Sequence, residues 1–169
     1  SWTFCHRIER ELAMLKTLTV WNFALLEHVQ VEFKHGLNIL TGETGAGKSI
    51  LIDALGAILG QRVSADAVRT GCDWLRVEAV FVVEEDMPSL HAFLKDQSID
   101  MEDGMLIVTR QVARNGRGTV LVNGRHIALA ALKQMGALLV DIHGQNENLA
   151  LLKEENQFRL VDAHESRIA

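Results

Sequence analysis

At 169 residues, with 48% hydrophobic and 23% charged side chains, the chain has the composition of a soluble globular protein and the length to bury one core, as one domain or a lobe of one. Its apolar runs fall far short of the ~18 residues needed to cross a bilayer, and its first residues lack a secretory pattern. Its two cysteines, Cys5 and Cys72, frame neither a disulfide scaffold nor a zinc site, which predicts a reducing, cytoplasmic setting; the net charge of −5 argues against a surface wrapped throughout in nucleic acid but leaves room for a local basic patch.

Residues 1–13 have no clean periodicity and read as a non-native or disordered extension ahead of Met14. Apolar and polar residues then alternate over Leu15–Phe23 and Leu26–Phe33, the period of two half-buried strands that pair antiparallel. A third short strand, Leu37–Thr41, follows Gly36. Beyond Ser49 the apolar residues Ile50, Leu51, Ala54, Leu55, Ile58 and Leu59 form a helical stripe closed by Gly60. After an irregular stretch, Trp74–Val83 alternates as a strand, Pro88 opens a short helix through Leu94, and Asp103-Gly104 turns into a strand over Met105–Val112. Asn115-Gly116 predicts a hairpin returning through Thr119–Val122, and Asn123-Gly124 a second turn. A helix over Leu129–Met135, capped near Gly136, is expected to lead into an apolar strand over Ala137–Ile142.

Between the strand at Leu37–Thr41 and the helix lies Gly42-Glu43-Thr44-Gly45-Ala46-Gly47-Lys48-Ser49, a complete P-loop running into Ile50. Gly42, Gly45 and Gly47 lack a Cβ, so their amides can approach phosphate oxygens closely, and Ala46 keeps the crown of the loop open. The helix that follows adds unsatisfied N–H donors and partial positive charge at its N-terminus. Lys48 is placed to meet the β- and γ-phosphates and Ser49 to hold Mg²⁺. These residues imply a site for ATP or a related triphosphate with Mg²⁺.

Such a site also needs an acid at a strand end, and two positions qualify: Glu84-Glu85 after Val80–Val83, and Asp141 after Leu138–Val140. The apolar run makes Asp141 the better placed of the two. Between Met105 and His126, Arg110, Arg114, Arg117 and Arg125 occur without an Asp or Glu; they fit either a phosphate-binding hairpin or solvated arginines on a sheet edge or at a lobe interface. Arg62 and Arg69, after the P-loop helix, are placed either to touch phosphates or a partner head or, the reading ranked first, to be surface arginines in ordinary ion pairs.

The run Leu37–Ser49, preceded by Trp21-Asn22-Phe23-Ala24-Leu25-Leu26-Glu27, closely resembles the start of the bacterial RecN DNA-repair proteins. So do Leu59-Gly60-Gln61-Arg62, Val68-Arg69-Thr70-Gly71, Val77-Glu78-Ala79-Val80-Phe81, Val122-Asn123-Gly124-Arg125 and Val140-Asp141-Ile142-His143-Gly144-Gln145, in the family's order from about Met14 onward. RecN is an SMC-like member of the ABC ATPase superfamily whose head is split between the two chain ends by a long antiparallel coiled coil. The resemblance implies an α/β P-loop NTPase lobe of the ABC/SMC type, with an antiparallel β portion and a mixed sheet around the P-loop helix. It implies a lobe over 14–152, with 153–169 as the root of the coil.

Carried over residue by residue, the resemblance makes Lys48 the phosphate residue and Ser49 the magnesium residue. Gln145 becomes the Q-loop glutamine that reaches Mg²⁺ and the γ-phosphate, and Asp141 a strand-end residue leading to it. The family usually reads His-Gly-Gln-His-Glu-His here, whereas this chain has Asn146 and Asn148 in place of the last two histidines. No signature run of the Ser-Gly-Gly type and no late acidic pair occurs in the sequence, so hydrolysis is expected to need a C-terminal lobe. The implied partners are ATP, that lobe, a second head in an ATP-dependent dimer, and DNA during double-strand-break repair and recombination, in the cytoplasm at the nucleoid and away from membranes. Two rival readings are a small P-loop kinase and a non-catalytic DNA-binding module using the Arg110–Arg125 hairpin.

Overall fold

The computed structural model describes residues 15–33 and 45–139. They form strands β1 (Leu15–Phe23) and β2 (Leu26–Glu32), helix α1 (Gly45–Ile58), a 3-10 turn at Ala65–Ala67, and strand β3 (Trp74–Val82). Helix α2 (Pro88–Asp96), strands β4 (Met105–Ala113), β5 (Gly118–Val122) and β6 (Arg125–His126), and helix α3 (Leu129–Leu139) complete the order. The strands make one sheet in the order β2-β1-β3-β4-β5-β6, and every described pair is antiparallel. The strand expected at Leu37–Thr41, which would make the sheet mixed, lies outside the described residues, as do segments 1–13 and 153–169.

Alternation decides which side of the sheet is covered. In β3, Leu75, Val77, Ala79 and Phe81 are buried while Trp74, Arg76, Glu78, Val80 and Val82 between them are half-exposed. Register carries the same two rows across the sheet: Val77 faces Val20 of β1, and Leu106 and Val108 of β4 pair with Phe81 and Ala79. The inner row packs with Leu51, Ala54 and Ile58 of α1, Leu90 and Leu94 of α2, and Leu132 and Met135 of α3. Each large apolar side chain so buried contributes about 1.5–3 kcal/mol. A register shift between Leu15 and Thr17 lets β1 bulge at the exposed Lys16 without flipping its faces.

The turns follow their residues. Asn123 (φ 47°) and Gly124 (φ 79°) join β5 to β6, and Asp103 (φ 54°) and Gly104 (φ 70°) precede β4; positive φ at both central positions is what a tight right-twisted hairpin requires. Asn115-Gly116 turns β4 into β5 as expected, with Gly116 at φ 89°. Strand β6, two residues long, was too short to read from alternation.

Helix α1 starts at Gly45, earlier than the stripe beyond Ser49, α2 runs two residues past Leu94, and the largest departure is at α3. Gly136 does not cap a helix ending at Met135; α3 runs through it to Leu139, so Ala137–Leu139 are helical rather than the start of a strand. The absence of a side chain at Gly136 serves packing instead of termination. A Cβ there would lie 2.9 Å from the carbonyl carbon and 3.0 Å from the Cα of Leu59, at the end of α1. Residues 140–142, the rest of the expected strand, lie outside the described residues.

Candidate functional site

Helix α1 begins within the P-loop: Gly45, Ala46, Gly47 and Lys48 form its first turn. The first four N–H groups of any α-helix have no intrahelical acceptor, so the P-loop amides are those the helix leaves for an outside anion, at the positive end of its dipole. Ser49 follows, exposed, and Ile50 is buried, so the hydroxyl lies on the accessible side of the helix and the aliphatic chain in the core. Gly42, Glu43, Thr44, Asp141 and Gln145 lie outside the described residues.

The far end of α1 is held from three directions. Gly60 adopts φ 97°, its N–H donates to Ala57 O at 3.2 Å, and the N–H of Gln61 donates to Gly56 O at 3.0 Å, the paired bonds of a Schellman ending. Arg110 reaches in from β4 and donates from Nη1 to Ala57 O at 2.9 Å and to Gln61 O. Its cation sits where the helix dipole is negative, and burial among apolar groups lowers its pKa from the ordinary arginine value. Helix α3 supplies the third hold, backbone against backbone: a Cβ on Gly60 would lie 2.7 Å from Lys133 Cα.

This geometry corrects the reading of the arginine run. Arg110 is 5% exposed and belongs to the scaffold of α1. Arg114 donates from Nε to Cys72 O at 2.9 Å and from Nη2 to Arg69 O at 2.8 Å, tying the β4–β5 hairpin to the preceding loop. Arg117 and Arg125 are exposed, at opposite ends of β5, so the four arginines do not form one patch. The signal for Arg110 was present in the sequence: it continues the row Leu106, Val108, Arg110, Val112, whose members all point inward.

The remaining candidates separate cleanly. Arg69 pairs with Glu27 at 3.4 Å, both at the surface, as a surface ion pair. Glu84 and Glu85 are exposed just beyond β3, and the Glu84 carbonyl faces His91 Nε2 at 3.0 Å. Among the described residues, no group of His, Cys, Asp and Glu is arranged to hold a metal ion. An exposed serine hydroxyl near a helix N-terminus is chemically able to ligate Mg²⁺, the role expected of Ser49. No helix among the described residues is long and apolar enough to cross a membrane.

A family model described as an AAA domain matches residues 17–166. The chain belongs to the AAA domain family. It is 42% identical over 149 residues to the DNA repair protein RecN of Bacillus subtilis (strain 168), a match covering 88% of this chain and 26% of that protein. The resemblance to RecN read from separate motifs thus extends over most of the sequence, and the chain spans about a quarter of the length of the relatives it matches. The fold is shared with a chain solved in a study of ATP-driven dimerization and DNA-stimulated activation of SMC ATPases, with a TM-score of 0.57 at 19% identity over 88% of this chain and 97% of that one. It is shared also with the SMC head domain from Thermotoga maritima, with a TM-score of 0.52 at 23% identity over 71% of this chain and 41% of that one. The described residues thus share the fold of these SMC head structures.

Proposed function

We propose that this chain is the ATP-binding N-terminal lobe of an SMC-like ATPase acting in DNA double-strand-break repair and recombination. The observation that carries the reading is the coincidence of Gly45–Lys48 with the first turn of α1, in a chain whose relatives are RecN proteins. The P-loop amides bind and orient the β- and γ-phosphates, and Lys48 neutralises their charge. Ser49 and Gln145 hold Mg²⁺, which when bound spreads the charge that develops on the transferring phosphoryl group. Gln145 would also reach the γ-phosphate.

Binding drives two heads together, each P-loop facing the partner head, and hydrolysis releases them, the order-and-release logic of nucleotide switches. Residues 14–152 form the lobe, 153–169 begin the coiled-coil helix, and 1–13 take no part. Because a catalytic acid and a signature run are not in this sequence, turnover requires a C-terminal lobe. The protein works in the cytoplasm at the nucleoid.

Titration with a fluorescent ATP analogue and Mg²⁺ tests this. Wild type binds, Lys48→Ala loses at least tenfold in affinity, Gln145→Ala loses the Mg²⁺-dependent part, and phosphate release from the chain alone stays at background. An ordinary steady-state ATPase rate abolished by Lys48→Ala would sink the split-site reading and return Asp141 to the role of acid.

A further inference from the structure

The outer face of the sheet, away from α1, carries a continuous row of planar groups. Register sets His28 of β2 opposite Trp21 of β1, Trp21 opposite Arg76 of β3, and Arg76 opposite Gln111 of β4. The Trp21 and His28 rings are stacked, 5.4 Å between centroids and 8° from parallel. The Arg76 guanidinium lies 5.8 Å from the centre of Trp21 and 5.0 Å from that of Trp74. Its Nε and Nη2 donate to Gln111 Oε1 at 3.1 and 2.9 Å, so the guanidinium is oriented by a neutral amide and retains further N–H donors.

The charge around this row is positive on balance. Segments 21–28, 68–76 and 111–119 meet at this end of the sheet through the Phe23–Val68 bridge, the Arg69 N–H to Asn22 O bond of 2.9 Å and the two guanidinium bonds of Arg114. They contain Arg69, Arg76, Arg114 and Arg117 against two carboxylates, Glu27 and Asp73. Glu27 is already paired with Arg69, and Glu78, one register row along, accepts from Thr109 Oγ1 at 3.4 Å. The opposite end of the sheet is acidic, with Glu84, Glu85, Glu102 and Asp103 all exposed.

We infer that this aromatic and arginine-rich end of the outer face binds single-stranded DNA. The inference deepens the DNA-repair reading above and rests on it for the choice of DNA. Half-exposed indoles and an exposed imidazole offer faces and edges to unpaired bases, whereas in a duplex the base faces are already stacked on one another. The arginines offer charge and N–H donors to the phosphates, and the acidic far end repels them, which fixes where on the sheet the strand lies.

The test uses the full 169-residue chain and a fluorescein-labelled 20-nucleotide oligo-dT, followed by anisotropy across a salt series, with a 20-base-pair duplex beside it. Expected are a salt-dependent affinity for oligo-dT and weaker binding of the duplex. Arg117→Glu should weaken binding about tenfold and lower the salt slope by about 0.7 or more, the share of one phosphate contact on a single strand. Trp74→Ala should also cost about tenfold, the size of one lost base stack, with most of it restored in Trp74→Phe, which guards against a folding artefact. Arg125→Glu, away from this end, should change affinity less than twofold. Absence of oligo-dT binding, indifference to both Trp74→Ala and Arg117→Glu, or an equal loss in Arg125→Glu would overturn the assignment. ATP-analogue binding in the same samples separates the two readings: nucleotide bound without oligo-dT refutes the DNA face alone, and oligo-dT bound without nucleotide refutes the ATP site alone.

Discussion

Gly136 of α3 and Leu59 at the end of α1 meet backbone to backbone, with no space for a methyl group at position 136. Two effects oppose each other when that glycine becomes alanine. Helix propensity favours alanine by about 1 kcal/mol, while forcing a carbon against main-chain atoms that cannot rotate away costs about 1–3 kcal/mol. Packing is expected to win, so Gly136→Ala should lower stability by about 1–2 kcal/mol in urea denaturation. A variant more stable than wild type would mean that the two helices do not meet there.

Removing the arginine clamp is a sharper case. Arg110→Met keeps the length and apolar stem but leaves Gln61 O without its donor, whereas Ala57 O still accepts from Gly60. The variant escapes the desolvation of a buried cation, and hydrogen bonds to charged groups contribute about 1.5–3 kcal/mol each. A net loss of about 2 kcal/mol is expected, with Arg110→Lys intermediate because an ammonium does not reproduce the planar fork of donors. Chemical denaturation of the three proteins checks the order; Met matching wild type would assign the clamp no net stabilising role.

Asn123 does the work of a missing strand end. Its Oδ1 accepts from the Ile107 N–H at 2.7 Å, and its Nδ2 donates to Asp100 O at 2.7 Å and Met105 O at 3.2 Å, while its backbone sits at φ 47°. Asn123→Ala forfeits those bonds and the left-handed preference, and Asn123→Gly forfeits only the bonds. We expect losses of about 2 kcal/mol for Ala and about 1 kcal/mol for Gly in the same assay. Equal losses would show that backbone conformation contributes nothing at this turn.

On the proposed function, a change at Ser49 separates metal from phosphate binding. Ser49→Ala retains the P-loop amides and Lys48, so affinity for an ATP analogue in EDTA should stay within about twofold of wild type, while the gain on adding Mg²⁺ should be largely lost. Isothermal titration in the two buffers measures both. A Ser49→Ala protein that keeps the full Mg²⁺ increment would remove the hydroxyl from the metal site.

Local signals in the sequence located most elements because each had a local physical cause. Alternation placed β3 within a residue of its end, the Asn-Gly and Asp-Gly pairs located the turns, and the P-loop announced the start of α1. Gly136 was misread because a glycine near a helix end suits either a cap or a close contact, and the neighbour that distinguishes them, Leu59, is far away in sequence. Arg110 was legible in its inward row, yet residue type outweighed position. The stack of His28, Trp21 and Arg76 was not legible at all, since it exists only through strand register.

From Ser49 to Ile58 helix α1 exposes only Ser49 and Asp53, and its tail is bound by Arg110, its own Schellman ending and α3. A rod so embedded has no hinge along its length. A load placed on its N-terminus would therefore be handed on to β4 and α3 rather than taken up by bending.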